Sequence, residues 1–266
     1  MTEQLENEII DNPEYELNHT DKLVGVFTEP GNTFKTISHF PAKTIDWILP
    51  LLLLIIVTII STILIFSNPI IKNNMVEKQK ANIQKLADNG TITQEQANTQ
   101  KDMTERFMSG PLFYVIQGGA VFFGFLLIFF VVTAFYFMLI KFVMKGEGGY
   151  KNMLVAYSLP SYILVIQSIL VVILSITSDK MAMGTNLAFF LGMDIKDFLG
   201  FLLSKVDPLS IWFYVVLGIA SAKMFKSEET GKYIGMIIGV WLVGNIVLFF
   251  LAKSLPMLGG FIGTGA

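Results

Sequence analysis

Two runs of twenty residues without a charge, 47–66 and 233–252, constrain the fold of this chain more than any other feature. The hydrocarbon core of a lipid bilayer is about 30 Å thick, and an α-helix rises about 1.5 Å per residue. A helix of about twenty apolar residues is therefore just long enough to cross the bilayer. Each of the two runs predicts one membrane-spanning helix.

Three more apolar stretches complete the predicted set of spans. Residues 111–140 carry no charge, residues 154–177 contain Pro160 in their first two turns, and residues 208–222 offer only fifteen uncharged positions. The chain is 53% hydrophobic and 15% charged, whereas roughly 25% of the residues of a typical soluble domain are charged. The sequence therefore predicts an all-α fold, a polytopic membrane helix bundle with five transmembrane helices.

The polar parts of the chain divide it into regions. We expect a disordered acidic tail at 1–20, a cytoplasmic amphipathic segment at 21–46, a five-span membrane domain at 47–255 and a Gly-rich tail at 256–266. The membrane domain includes a polar stretch, 70–110, which we expect to form an extracytoplasmic helical hairpin. For the amphipathic segment two interpretations stay open: helices lying in the lipid headgroup layer, or a helix packed on the cytoplasmic ends of the spans.

Local signals predict where helices begin and break. Thr93 followed by Gln96 is the pattern of a capping box at a helix start. In this motif the side chain of the first residue accepts a hydrogen bond from the backbone N–H of the residue three positions later, whose side chain accepts one from the backbone N–H of the first. Pro160 is expected to free a carbonyl and bend its span. Charges interrupt the stretch 183–206, and neither half is long enough to cross the bilayer alone, so an interfacial or re-entrant segment is expected. We interpret its charges, together with Asp207, as a solvated rim.

The density of lysines near span ends predicts the orientation. Short loops with several lysines follow the second and fourth spans, at 141–151 and 223–232. With five spans these loops lie on the same side as the N-terminal segment, and lysine-rich short loops are typically cytoplasmic. We therefore expect a cytoplasmic N-terminus and an extracytoplasmic C-terminus.

Several classes of function find no support in the sequence. The chain has no cysteine, and its two histidines, His19 and His39, lack a metal-ligating companion at helical spacing. Nucleotide-binding and zinc-protease motifs do not occur. A net charge of −2 gives no electrostatic basis for nucleic-acid binding. We expect a protein that is not an enzyme, with no catalytic residues, no cofactor and no metal site.

Two sets of residues are candidates for function within the membrane. Glycines four residues apart line one helix face and allow another helix backbone to approach closely, either inside the bundle or at a dimer seam. These helix-packing candidates are Gly231, Gly235 and Gly239. Polar side chains in spans either form hydrogen bonds between helices or line a polar pathway. The candidates for such a pathway are Gln117, Gln167, Asn245, Tyr157 and Ser158.

Four short motifs, taken in order around the predicted spans, carry a resemblance to a known family. They are Leu23-x-x-x-Phe27-x-Glu29-Pro30-x-x-x-Phe34, Pro41 with Asp46-Trp47-x-x-Pro50, the stretch 149–160 ending Ala156-Tyr157-Ser158-Leu159-Pro160, and Val206-Asp207-Pro208-Leu209-Ser210-Ile211-Trp212. With these motifs the chain resembles the Yip domain family, five-span membrane proteins named for their interaction with Ypt/Rab GTPases. The likeness covers about residues 20 to 255 and is greatest to the bacterial branch.

The resemblance implies an integral membrane protein with a cytoplasmic N-terminus, here in a bacterial cytoplasmic membrane. In eukaryotic members it implies roles in vesicle traffic and membrane shaping. This chain lacks the Asp-Leu-x-Gly-Pro signature of the eukaryotic branch, and its long polar hairpin is unlike the compact loops of that branch. The resemblance therefore does not predict Rab binding.

Two hypotheses of function follow. The first is a non-enzymatic membrane-organising or scaffold protein that acts through helix packing and partner contacts. The alternative is a transporter or channel-like protein for ions or small solutes. The partners expected under the first are the lipid bilayer, other membrane proteins and a second copy of the chain.

Overall fold

A computed structural model describes residues 16–254; their helices are α-helical except for one π-helical turn, Leu139–Val143, and no β-strand occurs among them. The predicted Gly-rich tail and residues 1–15 of the predicted acidic tail lie outside the described residues. The helices, in chain order, are α1 His19–Thr28, α2 Pro30–Ser38, α3 Ile45–Ser67, α4 Pro69–Asp88, α5 Gln94–Ser109, α6 Pro111–Met138, α7 Tyr150–Ser158, α8 Ser161–Ser178, α9 Leu187–Phe190, α10 Phe198–Leu203, α11 Pro208–Met224 and α12 Thr230–Ser254.

Four helical stretches are long and apolar enough to cross a membrane. They are Ile45–Ser67, Pro111–Val143, Tyr150–Ser178 and Thr230–Ser254. The fifth predicted span corresponds to α11, which is apolar but has only 17 residues, or about 25 Å of helix. The prediction of an all-α membrane bundle is confirmed, with four long spans and one shorter apolar helix.

The outward-facing surface of the long helices is apolar, as expected for helices that contact lipid. Phe123 on α6 is 71% exposed and Val243 on α12 is 61% exposed. Because lipid tails are as apolar as these side chains, the bilayer rather than a protein core covers them.

The short helix α11 is enclosed by four other helices of the bundle. It packs against α2, α7, α8 and α12. Val216, Leu217 and Ala220 on α11 are completely buried in the main core. Small residues on this helix allow the close contact: a Cβ at Gly218 would lie 2.6 Å from the Cα of Ile234 on α12. The α11 backbone therefore rests directly on α12.

The amphipathic segment packs on the bundle. Val26 on α1 and Phe34 and Ile37 on α2 are buried in the main core, beside residues of α7 and α11. Of the two interpretations, the structure therefore favours the packed helix over helices lying in the headgroup layer. We call the end of the bundle formed by α1, α2 and the segments 144–149 and 225–229 the N-terminal face.

The opposite end of the bundle, here called the hairpin face, consists of α4, α5 and the segment 179–207. Helices α4 and α5 pack against each other. The predicted capping box of Thr93 and Gln96 opens α5 and is confirmed. The first turn of α6 belongs to this end as well, since the rings of Phe113 and Phe66 lie 5.0 Å apart in an edge-on contact.

Pro160 divides the third span into two helices. Helix α7 ends at Ser158 and α8 begins at Ser161. The hydroxyl of Ser161 donates a hydrogen bond to the carbonyl of Ser158 at 2.5 Å, so the break leaves that carbonyl satisfied. The sequence predicts a bend at this proline; the structure shows that the helix is interrupted there, and both serines beside the interruption are buried.

The prediction of a solvated rim is wrong for Asp207, which is only 2% exposed. Its carboxylate caps α11 by accepting hydrogen bonds from the backbone N–H groups of Leu209 and Ser210. It also accepts one from the backbone N–H of Thr185 at 2.7 Å. An aspartate at this position satisfies free N–H groups at a helix start, and here it also fastens the segment 179–207 to α11.

Candidate functional site

A buried ion pair joins the N-terminal helices to the first span. Nζ of Lys22, on α1, lies 2.7 Å from Oδ2 of Asp46, in the first turn of α3, and both side chains are 3% exposed. Buried charges are costly unless they are paired and hydrogen-bonded. The pair therefore fixes the position of α1 relative to α3.

Two more charged residues extend this pair towards water. Glu16 accepts hydrogen bonds from Nζ of Lys22 at 3.2 Å and from Nζ of Lys43 at 2.6 Å. The bond from Lys43 lowers the pKa of the Glu16 carboxyl; partial burial opposes this shift, and Lys22 adds to it. In return, the bond to Glu16 raises the pKa of Lys43.

His19 links the same cluster to the third span. Its Nε2 atom is hydrogen-bonded to the hydroxyl of Tyr162, on α8, at 2.6 Å. Its Nδ1 atom lies 3.5 Å from Oδ1 of Asp46, too far for a good hydrogen bond, and it has no other partner. Glu16, His19, Lys22, Lys43, Asp46 and Tyr162 thus form one cluster, here called the N-terminal clamp.

Sequence reasoning missed this clamp. Glu16 and His19 fall within the stretch predicted as a disordered tail, yet they contact the bundle. Lys22 was one of several lysines in an amphipathic segment, where lysines usually face water. The only signal available was an uncompensated acid, Asp46, at the entrance of an apolar span, because such a charge requires a partner.

Immediately beyond the clamp, a hydrogen bond ties the first span to the third. The hydroxyl of Ser158 donates to the carbonyl of Trp47 at 2.5 Å. The Trp47 ring stacks on Phe129 of α6, with centroids 6.0 Å apart. Tyr157 contacts the rings of both Phe129 and Phe213. Residues from the Asp46-Trp47 and Tyr157-Ser158 motifs therefore meet at one junction.

The five residues of the predicted polar pathway lie in different places. Tyr157 and Ser158 line a cavity of about 80 Å³ whose other lining residues, apart from Ser161, are apolar. Gln167 donates from Nε2 to the hydroxyl of Ser210 on α11 at 2.9 Å. Asn245 donates to the carbonyl of Trp241 on its own helix at 2.8 Å. Gln117 lines a separate cavity of about 250 Å³ beside the hairpin.

The three glycines of α12 face open space in this chain. A Cβ placed at Gly231, Gly235 or Gly239 would meet no atom within 4 Å. The close approach of two helices occurs instead at Gly218 on α11. The small-residue spacing that accompanies it is Gly218-x-x-x-Ala222, a signal present in the sequence.

Metal ligation is not evident in the described part of the chain. Residues 16–254 contain no group of three or more His, Asp or Glu side chains arranged to hold a metal ion. In the clamp, Lys22 occupies the position beside Asp46 that a cation would need. The chemistry available at this site is ion pairing and hydrogen bonding between helices.

Comparison with known proteins agrees with this architecture. The sequence family described as the Yip1 domain matches residues 24–252, from within α1 to the last turn of α12. Comparisons with curated proteins and with solved structures returned no match. The match includes the second half of α1, the spans and the junction of Trp47 with Ser158. This chain is therefore a member of the Yip1 domain family of integral membrane proteins.

Proposed function

We propose that this Yip1 domain protein is a non-enzymatic membrane-organising or scaffold protein that acts through helix packing and partner contacts. The observation that carries the proposal is the N-terminal clamp, in which Lys22 and Asp46 form a buried ion pair at 2.7 Å. A buried ion pair favours one arrangement of the groups around it. The clamp thereby holds α1 and α2 as a fixed surface on the bundle, as a scaffold requires.

The proposed setting is a bacterial cytoplasmic membrane, with the N-terminal face in the cytoplasm and the hairpin face outside. The lysine-rich segments 141–151 and 223–232 support this orientation, since both adjoin the N-terminal face. The proposed partners are other membrane proteins or a second copy of this chain.

The open glycine face of α12 supports self-association as one mode of action. Where lipid offers no hydrophobic drive, helices associate through close van der Waals packing at small residues. We expect Gly235→Leu to reduce the assembly mass of the full chain in detergent, measured by light scattering after gel filtration. Gly124→Leu on α6 is the control, because its Cβ position is also open. An unchanged mass for Gly235→Leu would contradict self-association through this face.

Transport is the second candidate, and Gln167 and Ser210 favour it because they place polar groups between two spans. A flux assay separates the two functions. The full chain is reconstituted in liposomes, and proton and Rb⁺ flux are compared for the wild type, Asn245→Leu and empty liposomes. The scaffold proposal predicts no flux above that of empty liposomes. Flux that is lost in Asn245→Leu would replace the scaffold proposal with transport.

A further inference from the structure

Two matching pairs of residues meet where the last span ends on the hairpin face. Each pair is a phenylalanine followed four residues later by a lysine: Phe201 with Lys205, just after α10, and Phe249 with Lys253, in the last turn of α12. The two rings are buried, and their centroids lie 4.5 Å apart with an angle of 33° between the ring planes. This contact holds the segment 179–207 against the end of α12.

Each lysine places its ammonium group over the ring of its own pair. Nζ of Lys205 lies 4.6 Å from the centroid of Phe201, and Nζ of Lys253 lies 5.2 Å from the centroid of Phe249. A ring face attracts an ammonium group within about 6 Å of its centroid. Because the two rings are in contact, the two charges belong to one cluster. We call these four residues the lysine–phenylalanine site.

No acid among residues 16–254 neutralises these two charges. Neither ammonium group forms an ion pair or donates a hydrogen bond within this part of the chain. Of the acids near Lys205 in sequence, Asp197 is exposed at the start of α10, and Asp207 is engaged by N–H groups at the start of α11 and of Thr185. Burial lowers the pKa of Lys205, and no carboxylate opposes this shift. A partly buried charge without a partner is costly, so the site is suited to an anion from outside the chain.

The surface around the site is apolar. Phe198 and Leu199 on α10, and Phe250 and Leu251 on α12, are 42–59% exposed. Lipid tails cover apolar side chains of this kind, whereas lysines near the end of a span extend their ammonium groups to the level of the lipid headgroups. The phosphate of a phospholipid is an anion that satisfies both conditions, because its acyl chains can lie on the apolar surface.

We propose that Lys205 and Lys253 bind the phosphate of an anionic phospholipid, in the leaflet on the side of the hairpin face. Lysine binds phosphate as a point charge, and the exposed side chains of α10 and α12 contact the acyl chains. Free phosphate offers the same charge but has no apolar part for the surrounding surface. The bound lipid joins the segment 179–207 to the end of α12, since each contributes one lysine.

The test measures lipid binding to the full chain in a maltoside detergent. Native mass spectrometry compares the retention of phosphatidylglycerol with that of phosphatidylcholine, and inorganic phosphate is added as a competitor. The decisive variants are Lys205→Met and Lys253→Met, because methionine is of similar length and carries no charge. Lys205→Arg keeps the charge. The matched control is Lys180→Met, which removes an exposed lysine from the same segment, 179–207.

We expect Lys205→Met and Lys253→Met each to weaken binding of phosphatidylglycerol about five-fold, the effect of removing one lysine from an anionic membrane surface. Lys205→Arg and Lys180→Met should bind nearly as the wild type does. The proposal is overturned if Lys180→Met or Lys205→Arg loses as much affinity as Lys205→Met, or if phosphatidylcholine binds as tightly as phosphatidylglycerol. Displacement of phosphatidylglycerol by inorganic phosphate would replace the lipid with a soluble anion and overturn it as well.

Discussion

The ion pair of Lys22 and Asp46 is almost completely shielded from water, so water cannot take the place of a missing partner. Both residues are 2% exposed, so removal of one charge leaves the other in a medium that solvates it poorly. Glu16 remains within reach of Lys22 and offsets part of this cost. The pairing of Lys22 with Asp46 thus holds α1 in its position against α3.

We expect Asp46→Asn to lower the free energy of unfolding by about 3 kcal/mol, because breaking a buried pair costs about 3–5 kcal/mol. The double variant Lys22→Met, Asp46→Leu should be less destabilised than Asp46→Asn, since it leaves no charge unpaired. Unfolding in detergent, followed by tryptophan fluorescence, measures both. Lys232→Met is the control, because its pair with Glu229 is exposed. Equal stability of Asp46→Asn and Lys232→Met would contradict the role of the clamp.

Glu16 makes a pH-dependent contribution of known sign. Its pKa in the folded protein is lowered below 4.5, chiefly by the hydrogen bond from Lys43. A carboxyl with a lowered pKa stabilises the folded state above the unfolded pKa, and this stability is lost as the pH falls through the folded pKa. We expect the melting temperature of the wild type to exceed that of Glu16→Gln at pH 5–7. This difference should shrink below pH 4.5; a difference that widens there would contradict the assignment.

Among the helices, α11 and α12 approach each other closely at Gly218. The Gly231, Gly235 and Gly239 pattern indicated a packing face on α12, but the contact inside the bundle is made through Gly218 of α11. Both glycine sets are visible in the sequence. Only the structure distinguishes them, because the choice depends on which face of α12 turns towards α11.

We expect Gly218→Ala to destabilise the bundle by about 1–3 kcal/mol, the usual cost of overpacking. Its Cβ would lie 2.6 Å from the Cα of Ile234, and backbone cannot move away cheaply. Gly235→Ala is the matched control, since its Cβ would meet nothing within 4 Å. Thermal unfolding of the two variants in the same detergent measures the difference. Similar melting temperatures would exclude a tight α11–α12 contact at Gly218.

The sequence predicts elements whose cause is local. Uncharged runs predict the spans, Pro160 predicts a bend at the place where α7 ends and α8 begins, and Thr93 with Gln96 predicts the start of α5. The clamp was not predicted because its partners are separated along the chain: Lys22 is 24 residues from Asp46, and His19 is 143 residues from Tyr162. The burial of Asp207 was missed for the same reason, since Thr185 reaches it from a loop 22 residues away.

In the molecule as a whole, the helices run between two chemically different ends. The N-terminal face carries the clamp, and the hairpin face combines α4 and α5 with the segment that Asp207 fastens to α11. Asn68 and Asp179, hydrogen-bonded at 2.8 Å, join the end of the first span to the end of the third on the hairpin face. A chain that crosses five times between these ends has α1 and the end of α12 on opposite sides.

The most direct test of this arrangement uses the natural absence of cysteine from the chain. Thr28→Cys, at the end of α1, and Thr91→Cys, in the hairpin turn, place single thiols at exposed positions on the two faces. Both are treated with a membrane-impermeant maleimide in intact cells and again after permeabilisation. We expect Thr91→Cys to be labelled in intact cells and Thr28→Cys only after permeabilisation. Labelling of both from outside would contradict the five-crossing arrangement.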